Sequence, residues 1–492
     1  MCIVSKKEME NLDRGPRGIY NYNTLLWKRQ EAGPWTETER PAAVLRRASP
    51  EALQLSCEAA ATFRRGTAPG AGRRGTDNSG KVRNGEASEM RKKDILFLCQ
   101  FFYPEHNSSA TLPFDTAKYF VDHGFSVDAL VGYPKEYSDE TNIPMREEKD
   151  GVGIRRIRYI QMKRAKKLSR LVNYMSFTLS VLLRLFQLRS YRTVVVYSNP
   201  PILPIVPVMA NMLFKTKIVF VAYDIYPEVA FASDSIRPGS ILDRGMRWIN
   251  HMLYRRASMV VSLTDEMKEF LLENRPELTE DRVTTIANWA HEQKTEATEE
   301  GCARFGYEPG QFIVSYFGNM GICQEMETLV QAVENMKDND EVRFLFVGHG
   351  NKKPAIAERF EKQKLKNVQI RDFLTGEEFE QAVAVSSCCV VSLEKGLKGM
   401  CAPSKYYSYL QGGKPVIAIV EEESYLAKEI QCKEIGAFAP IGDAARLELA
   451  ILRLKDDPEL TAEMGKRAEA LYHEAYRKEI GLSIYKTIMQ NL

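Results

Sequence analysis

The sequence predicts an α/β fold of two doubly wound, parallel-sheet domains facing a cleft, and three observations carry that prediction. Short apolar, β-prone runs alternate with segments of helical periodicity over most of the chain. Glycines stand at the junctions, in the turn Phe317-Gly318-Asn319-Met320-Gly321 and at helix ends such as Gly124 and Gly412-Gly413. Length and composition allow large cores: 492 residues, 44% hydrophobic and 27% charged, make room for two or three ordinary globular domains.

Residues 1–90 stand apart from that pattern. They hold repeated Arg pairs, the run Gly66 to Gly75 and few β-branched residues after Val44, too little apolar surface to pack, so they are expected to be disordered. Met90-Arg91-Lys92-Lys93 leads straight into the first apolar run. A start codon assigned too far upstream is one explanation, and a regulatory or membrane-touching tail the other.

From Asp94 onward each element has a local reason. Ile95 to Phe101 reads as a strand, Ala110 to His123 as a helix ending at Gly124, and Ser126 to Val131, Thr193 to Tyr197, Ile218 to Ala222 and Met259 to Leu263 as strands of a first, Rossmann-like domain over 91–290. Strands separated by helices or long crossovers predict a parallel sheet, with ligands at the C-terminal strand ends. Asn107, Ser108, Ser109 and Asp224 fall at those ends. Residues 291–304, polar and rich in Glu and Thr, read as a linker. A second Rossmann-like domain over 305–465 repeats the arrangement, with strands at Gln311 to Tyr316, near Phe344 and Val368, at Cys388 to Leu393 and at Pro415 to Val420. Met326, Leu329, Val330 and Val333 recur at helical spacing between them. A last helix is expected from about Ala462 to Leu492, with 466–492 as a separate closing segment.

Two stretches carry the chemistry. The glycine turn with Gln324 and Glu327-Thr328-Leu329 behind it forms strand, turn and helix, and Pro403-Ser404-Lys405 opens a helix ending at Gly412-Gly413. Each places backbone amides at a helix N-terminus, where amide donors and the helix dipole bind an anionic phosphate. Together they suggest a nucleotide-diphosphate site, with Lys405 facing solvent.

The linked motifs resemble the family 4 glycosyltransferases, and most of all the WbuB-like or colanic-acid-type bacterial enzymes of surface polysaccharide synthesis. Gly318-Asn319-x-Gly321, Gln324, Glu327-Thr328-Leu329 and Pro403-Ser404-Lys405 resemble the family's C-terminal domain. Phe101-Phe102-Tyr103-Pro104-Glu105 with Ser108-Ser109-Ala110, Asp224-Ile225-Tyr226-Pro227-Glu228 and Ile286-Ala287-Asn288-Trp289 resemble segments of its N-terminal domain, so the likeness covers roughly 94–480. It implies the GT-B architecture, with the C-terminal helix crossing back to brace the first domain.

The resemblance also implies a chemistry: retaining transfer of an N-acetylated or deoxy hexose from a nucleoside-diphosphate sugar, UDP-linked, to a polyprenyl-diphosphate-linked acceptor in exopolysaccharide, capsule or O-antigen synthesis. Lys405 would stabilise the departing diphosphate, and Asp224, with Glu228 beside it, would orient acceptor or sugar hydroxyls. Gly318, Asn319, Gly321, Gln324, Gly348, Phe373, Leu374, Pro403, Ser404 and Ser408 would bind the donor, and Glu105, Asn107, Ser108 and Ser109 would face the acceptor or phosphate. The chain departs from the family at Met400 and Ser408, where many members carry two glutamates, and at Tyr223-Asp224, where many carry His-Asp. Sugar recognition is what these departures put in question.

Charge and cysteine usage exclude other classes. Lys+Arg 68 against Asp+Glu 65 gives +3, too small a bias for nucleic acid, and the nine cysteines are scattered without a CxxC pair, against zinc and for a reducing cytoplasm. No apolar h-region follows a basic stretch at the N-terminus, so no signal peptide is expected. Asp338-Asn339-Asp340 spells a DxD in a polar turn; neither a metal nor another cofactor is expected. Between Gly151 and Tyr223 there is no Asp or Glu but there are thirteen Lys or Arg, concentrated at Arg155, Arg156, Arg158, Lys163, Arg164, Lys166, Lys167 and Arg170 beside apolar runs too short to span a bilayer. Segment 155–190 is therefore expected to touch the inner face of the plasma membrane peripherally. A nucleotide-sugar epimerase of the same architecture and an inactive scaffold of a polysaccharide assembly complex are the alternatives.

Overall fold

The computed structural model describes residues 92–134, 142–162, 167–232, 234–290, 296–308 and 310–492. The expectations for residues 1–90 and for Lys163, Arg164 and Lys166 lie outside the described residues, as does the side chain of Lys167.

The first domain runs β1 (Lys93–Cys99), α1 (Ser108–Asp122), β2 (Val127–Gly132), β3 (Arg146–Lys149), β4 (Val152–Ile157), α2 (Lys167–Leu182), β5 (Tyr191–Tyr197), α3 (Ile205–Phe214), β6 (Lys217–Val221), α4 (Glu228–Ala232), α5 (Ile241–Arg256), β7 (Met259–Ser262), α6 (Asp265–Asn274) and β8 (Val283–Thr285). Its sheet has the order β3-β4-β2-β1-β5-β6-β7-β8 and is parallel apart from β3, which pairs antiparallel with β4. Both faces are covered, which is why its strands are apolar at nearly every position. Leu96 and Leu98 of β1 point into one core with Phe177, Val181, Leu253 and Tyr254 of α2 and α5. The alternate residues Ile95 and Phe97 point into the other, with Phe120 of α1.

The second domain runs α7 (Glu299–Arg304), β9 (Phe312–Asn319), α8 (Glu327–Asn335), β10 (Val342–His349), α9 (Lys353–Lys362), β11 (Val368–Arg371), α10 (Gly376–Val385), β12 (Cys388–Ser392), α11 (Lys405–Gln411), β13 (Val416–Val420), α12 (Tyr425–Cys432), β14 (Gly436–Pro440), α13 (Ala444–Asp456), α14 (Pro458–Leu471) and α15 (Lys478–Asn491). Its sheet, β11-β10-β9-β12-β13-β14, is parallel throughout. In both sheets the strand order reverses beside the first strand, at β1 and at β9. Open α/β sheets bind ligands at that point.

Three expectations need correction. The hairpin β3-β4 occupies part of what reads as a basic loop, because its charged edge lacks an apolar signature. Arg156 is 4% exposed and donates to Pro144 O at 2.7 Å and Tyr103 O at 2.9 Å while pairing with Glu147, and Arg155 donates to Tyr191 Oη at 2.7 Å. The expected linker overlaps α7, which packs on the second domain: Cys302 lies against its core and Phe305 is buried in it. The expected last helix breaks at a π-helical turn, Tyr472–Tyr476. Ahead of the break and at its first residue, Ala468, Leu471 and Tyr472 still pack in the second domain; behind it, Leu482, Tyr485, Ile488 and Met489 of α15 pack under the first sheet. The turn brings the Tyr476 ring 5.0 Å from that of Tyr407, so the crossing starts only after this aromatic anchor.

Candidate active site

Two helices from opposite sheets aim their N-termini at the same space. Helix α1 starts after Asn107, whose carbonyl accepts from Ala110 N at 2.9 Å and Thr111 N at 3.0 Å. Helix α11 starts after Ser404. The Ser108 and Ser404 hydroxyl oxygens lie 3.5 Å apart. The positive dipole ends of both helices meet here, which favours an anion. Beside it the buried Asn107 Oδ1 has no hydrogen-bond partner among the described residues.

Two adjoining cavities flank this point. One, of about 280 Å³, is lined by Asn107, Ser109, Gly318, Asn319, Gln324 and Pro403, among others. The other, of about 270 Å³, is lined by Trp289, Leu374, Phe379, Glu380, Ser408 and Gln411. His106, Ser108, Phe373, Ser404 and Lys405 line both and so mark their junction. The first cavity carries no carboxylate in its lining, and the second carries one, Glu380.

Lys405 is half-buried and lines both cavities, with Nζ 4.1 Å from the centre of the Phe379 ring and 6.0 Å from that of Phe373. Burial pushes its pKa down to about 8, since an ammonium loses hydration that aromatic faces replace only in part. Helix α11 is fixed behind it by Tyr409, whose hydroxyl donates to Phe317 O at 3.0 Å and accepts from Phe317 N at 3.1 Å.

The glycine turn shapes the opposite wall. Gly348 needs glycine outright: its φ is +149°, and a Cβ there would fall 1.8 Å from Gly318 O on the neighbouring strand. Gly321 donates to Gln324 Oε1 at 3.3 Å. Gly321 and Gly348 thus hold the turn together and do not line either cavity, as expected donor contacts would. Lys353 pins the neighbouring loop, donating to Gly348 O at 2.9 Å, Arg371 O at 2.8 Å and Asp372 Oδ1 at 2.6 Å; this holds Asp372 below the usual carboxylate range. Phe373 and Leu374 follow immediately and enter the cavity wall.

The acidic candidates lie elsewhere. Asp224 lines neither cavity; Ser198 Oγ accepts from its amide at 3.0 Å, and its backbone bridges Cys401 while Ile225 N donates to Met400 O at 2.9 Å. Burial pushes the Asp224 carboxyl up to about 6. Glu228 is held by Arg275 at 2.7 Å, an ion pair within the first domain rather than a cleft carboxylate. Glu105 is 4% exposed behind the strand end and also lines neither cavity. Met400, where the family's first glutamate is expected, packs on the first domain's core. Glu266 joins this contact from α6, accepting from Gly399 N and Tyr425 N, each at 3.1 Å. These residues clamp the two domains at the floor of the cleft.

His106, Trp289, Phe379, Glu380 and Gln411 were not found by sequence reasoning as cavity residues. Only Trp289 had a signal, its Asn-Trp motif; its indole donates to Asp115 Oδ2 at 3.1 Å and fixes the cleft's rim to α1. Asp338 and Asp340 sit in the turn before β10, and the described residues contain no cluster of three or more metal-ligating His, Cys, Asp or Glu.

Known proteins are similar to this chain in sequence and in fold. Residues 114–289 match the glycosyl transferase 4-like domain and residues 311–457 the glycosyl transferases group 1 model. The chain is 27% identical over 269 residues to a probable glycosyltransferase, WbjE, of Pseudomonas aeruginosa; the match covers 53% of this chain and 64% of that protein. Its fold is similar to sucrose-phosphate synthase of Thermosynechococcus elongatus, at 16% identity and a TM-score of 0.64 over 81% of this chain and 99% of the other. It is also similar to Anabaena HepE in complex with UDP, at 16% identity and a TM-score of 0.60 over 81% and 100%.

Proposed function

The chain is a glycosyltransferase of the GT-B fold, and we propose that it moves an N-acetylated or deoxy hexose from a UDP-linked donor to a polyprenyl-diphosphate-linked acceptor, with retention and without a metal. The carrying observation is the convergence of α1, α11 and Lys405 on the junction of two cavities. A diphosphate placed there meets two helix N-termini and one ammonium, the charges that a departing nucleoside diphosphate needs.

The two cavities divide the donor. The nucleoside enters the one with Phe373, Leu374 and Phe379, where Glu380 accepts from the ribose hydroxyls in place of the glutamate that Ser408 replaces. The sugar enters the other, under Asn107, Asn319 and Gln324. As the glycosidic bond breaks, Lys405 and the α11 amides take up the charge developing on the phosphate. With no carboxylate lining the sugar cavity, the phosphate oxygen itself is the base that receives the acceptor's proton, the front-face route of a retaining transfer. The solved HepE complex holds UDP, which favours a uridine nucleotide here.

The acceptor's lipid tail places the enzyme on the inner face of the plasma membrane, in exopolysaccharide, capsule or O-antigen assembly. Incubating the purified protein with UDP-sugars and a polyprenyl-diphosphate sugar tests the reading. A lengthened lipid-linked product with retained anomeric configuration is expected; UDP binding without transfer would leave the scaffold reading, and an epimerised free donor the epimerase.

A further inference from the structure

Most of the large apolar side chains exposed among the described residues lie in the first domain. Of fourteen large hydrophobics exposed among the described residues, Leu449 alone lies in the second domain, and none lies on α1 or α15. Those that remain fall mostly on α2, α3, α5 and the short 3-10 turn before β5, all of which cover the same side of the first sheet. Leu183 is 79% exposed, Ile241 89% and Trp248 56%. Helix α3 touches α2, the 3-10 turn and α5, so these elements form one packed layer, and the rings of Phe186 and Phe214 lie 5.8 Å apart between the turn and α3. Isolated exposed hydrophobics are ordinary; a connected ridge of them marks an interaction surface.

The charge on this face decides its occupant. Helices α2 and α3 lie within the stretch that lacks any Asp or Glu, and α5 contributes Arg244, Arg247, Arg255 and Arg256. Its single acid, Asp243, is 4% exposed and accepts from Arg247 Nε at 2.7 Å. A second copy of so cationic a face would repel it. An anionic lipid surface would attract it, and apolar side chains among cations are what a helix lying in the headgroup region presents. No described helix is long and apolar enough to cross a membrane, so contact is in-plane.

We propose that the α2-α3-α5 face lies flat on anionic lipid, with Trp248 and Ile241 of α5 inserted at the headgroup level. This deepens the lipid-acceptor reading and moves its surface: Arg155 and Arg156 are used by the fold, and the contact extends to α5, nearly sixty residues beyond the segment that sequence marks.

The full chain is mixed with phosphatidylglycerol-containing vesicles and with pure phosphatidylcholine vesicles, without any substrate. Expected are co-sedimentation with the anionic vesicles, a blue shift of tryptophan emission that Trp248→Phe removes, and at least about tenfold weaker binding by Ile241→Asn/Trp248→Ala at unchanged melting temperature. Parent-like sedimentation of that double variant, or an unshifted Trp248 in vesicle-bound protein, overturns the proposal. So does a dimer that the double variant abolishes while the parent ignores vesicles. UDP binding and transfer to a water-soluble acceptor are measured alongside, and their failure would count against the enzyme reading alone.

Discussion

Ser108 and Ser404, 296 residues apart in sequence, bring their hydroxyl oxygens to 3.5 Å at the first turns of α1 and α11. The two sheets thus present their switch-point helices end to end, with Lys405 adjoining the contact. Both serines line the two cavities that meet at this contact.

Replacing Lys405 with Ala is expected to lower kcat by about 10²–10³-fold and to weaken UDP binding by roughly tenfold or more. Because burial costs the ammonium hydration that Phe379 replaces only in part, the melting temperature at neutral pH is not expected to fall. Steady-state kinetics with calorimetry of UDP binding checks both; near-parental turnover would remove Lys405 from the mechanism.

Donor affinity should depend on pH with a set sign. The free lysine titrates near 8, and only its charged form binds diphosphate well, so affinity is full below that pH and declines above it. Binding at pH 8 should then take up protons, read as a dependence of calorimetric enthalpy on buffer ionisation. The effect on stability has the opposite direction: between about 8 and the unfolded value of 10.5 the unfolded chain binds more protons, so this group's contribution to stability rises with pH.

Glu380 is tested with the nucleotide rather than the protein alone. The parent should bind UDP about tenfold more tightly than 2′-deoxy-UDP, and Glu380→Gln should reduce that preference to roughly twofold or less. A preference that survives the substitution would assign the ribose to other groups.

Asp224→Asn should raise the melting temperature at pH 7.5 by a few degrees. The native carboxyl titrates near 6 against an unfolded value of 3.8, so the folded state binds more protons between those values and loses stability as pH rises through them. The gain should shrink at pH 4. Melting curves at the two pH values decide it, and a variant less stable at both would show that the carboxylate holds the clamp together.

What the sequence could reveal tracks what is local. The doubly wound sheets were legible because strands covered on both faces are apolar throughout, and one cavity wall was legible because Pro403-Ser404-Lys405 and Gly318-Asn319 line it in consecutive residues. The acidic candidates lie away from the cavities because distant partners hold them: Arg275 meets Glu228 across 47 positions, and Asp224 bridges Cys401. Glu380 gave no signal, being one of several acids on α10, and only the fold turns it to the cavity. Charged β3 and β4 lacked the periodicity of a covered strand.

The central claim is that the diphosphate lies between the two helix N-termini, and the crystal structure of the UDP complex tests it most directly. The account predicts the β-phosphate within about 3 Å of Lys405 Nζ and of an α11 first-turn amide, with the uracil beside Phe373 and Leu374. A diphosphate bound away from Lys405, or a uracil in the cavity of Asn319 and Gln324, would contradict it.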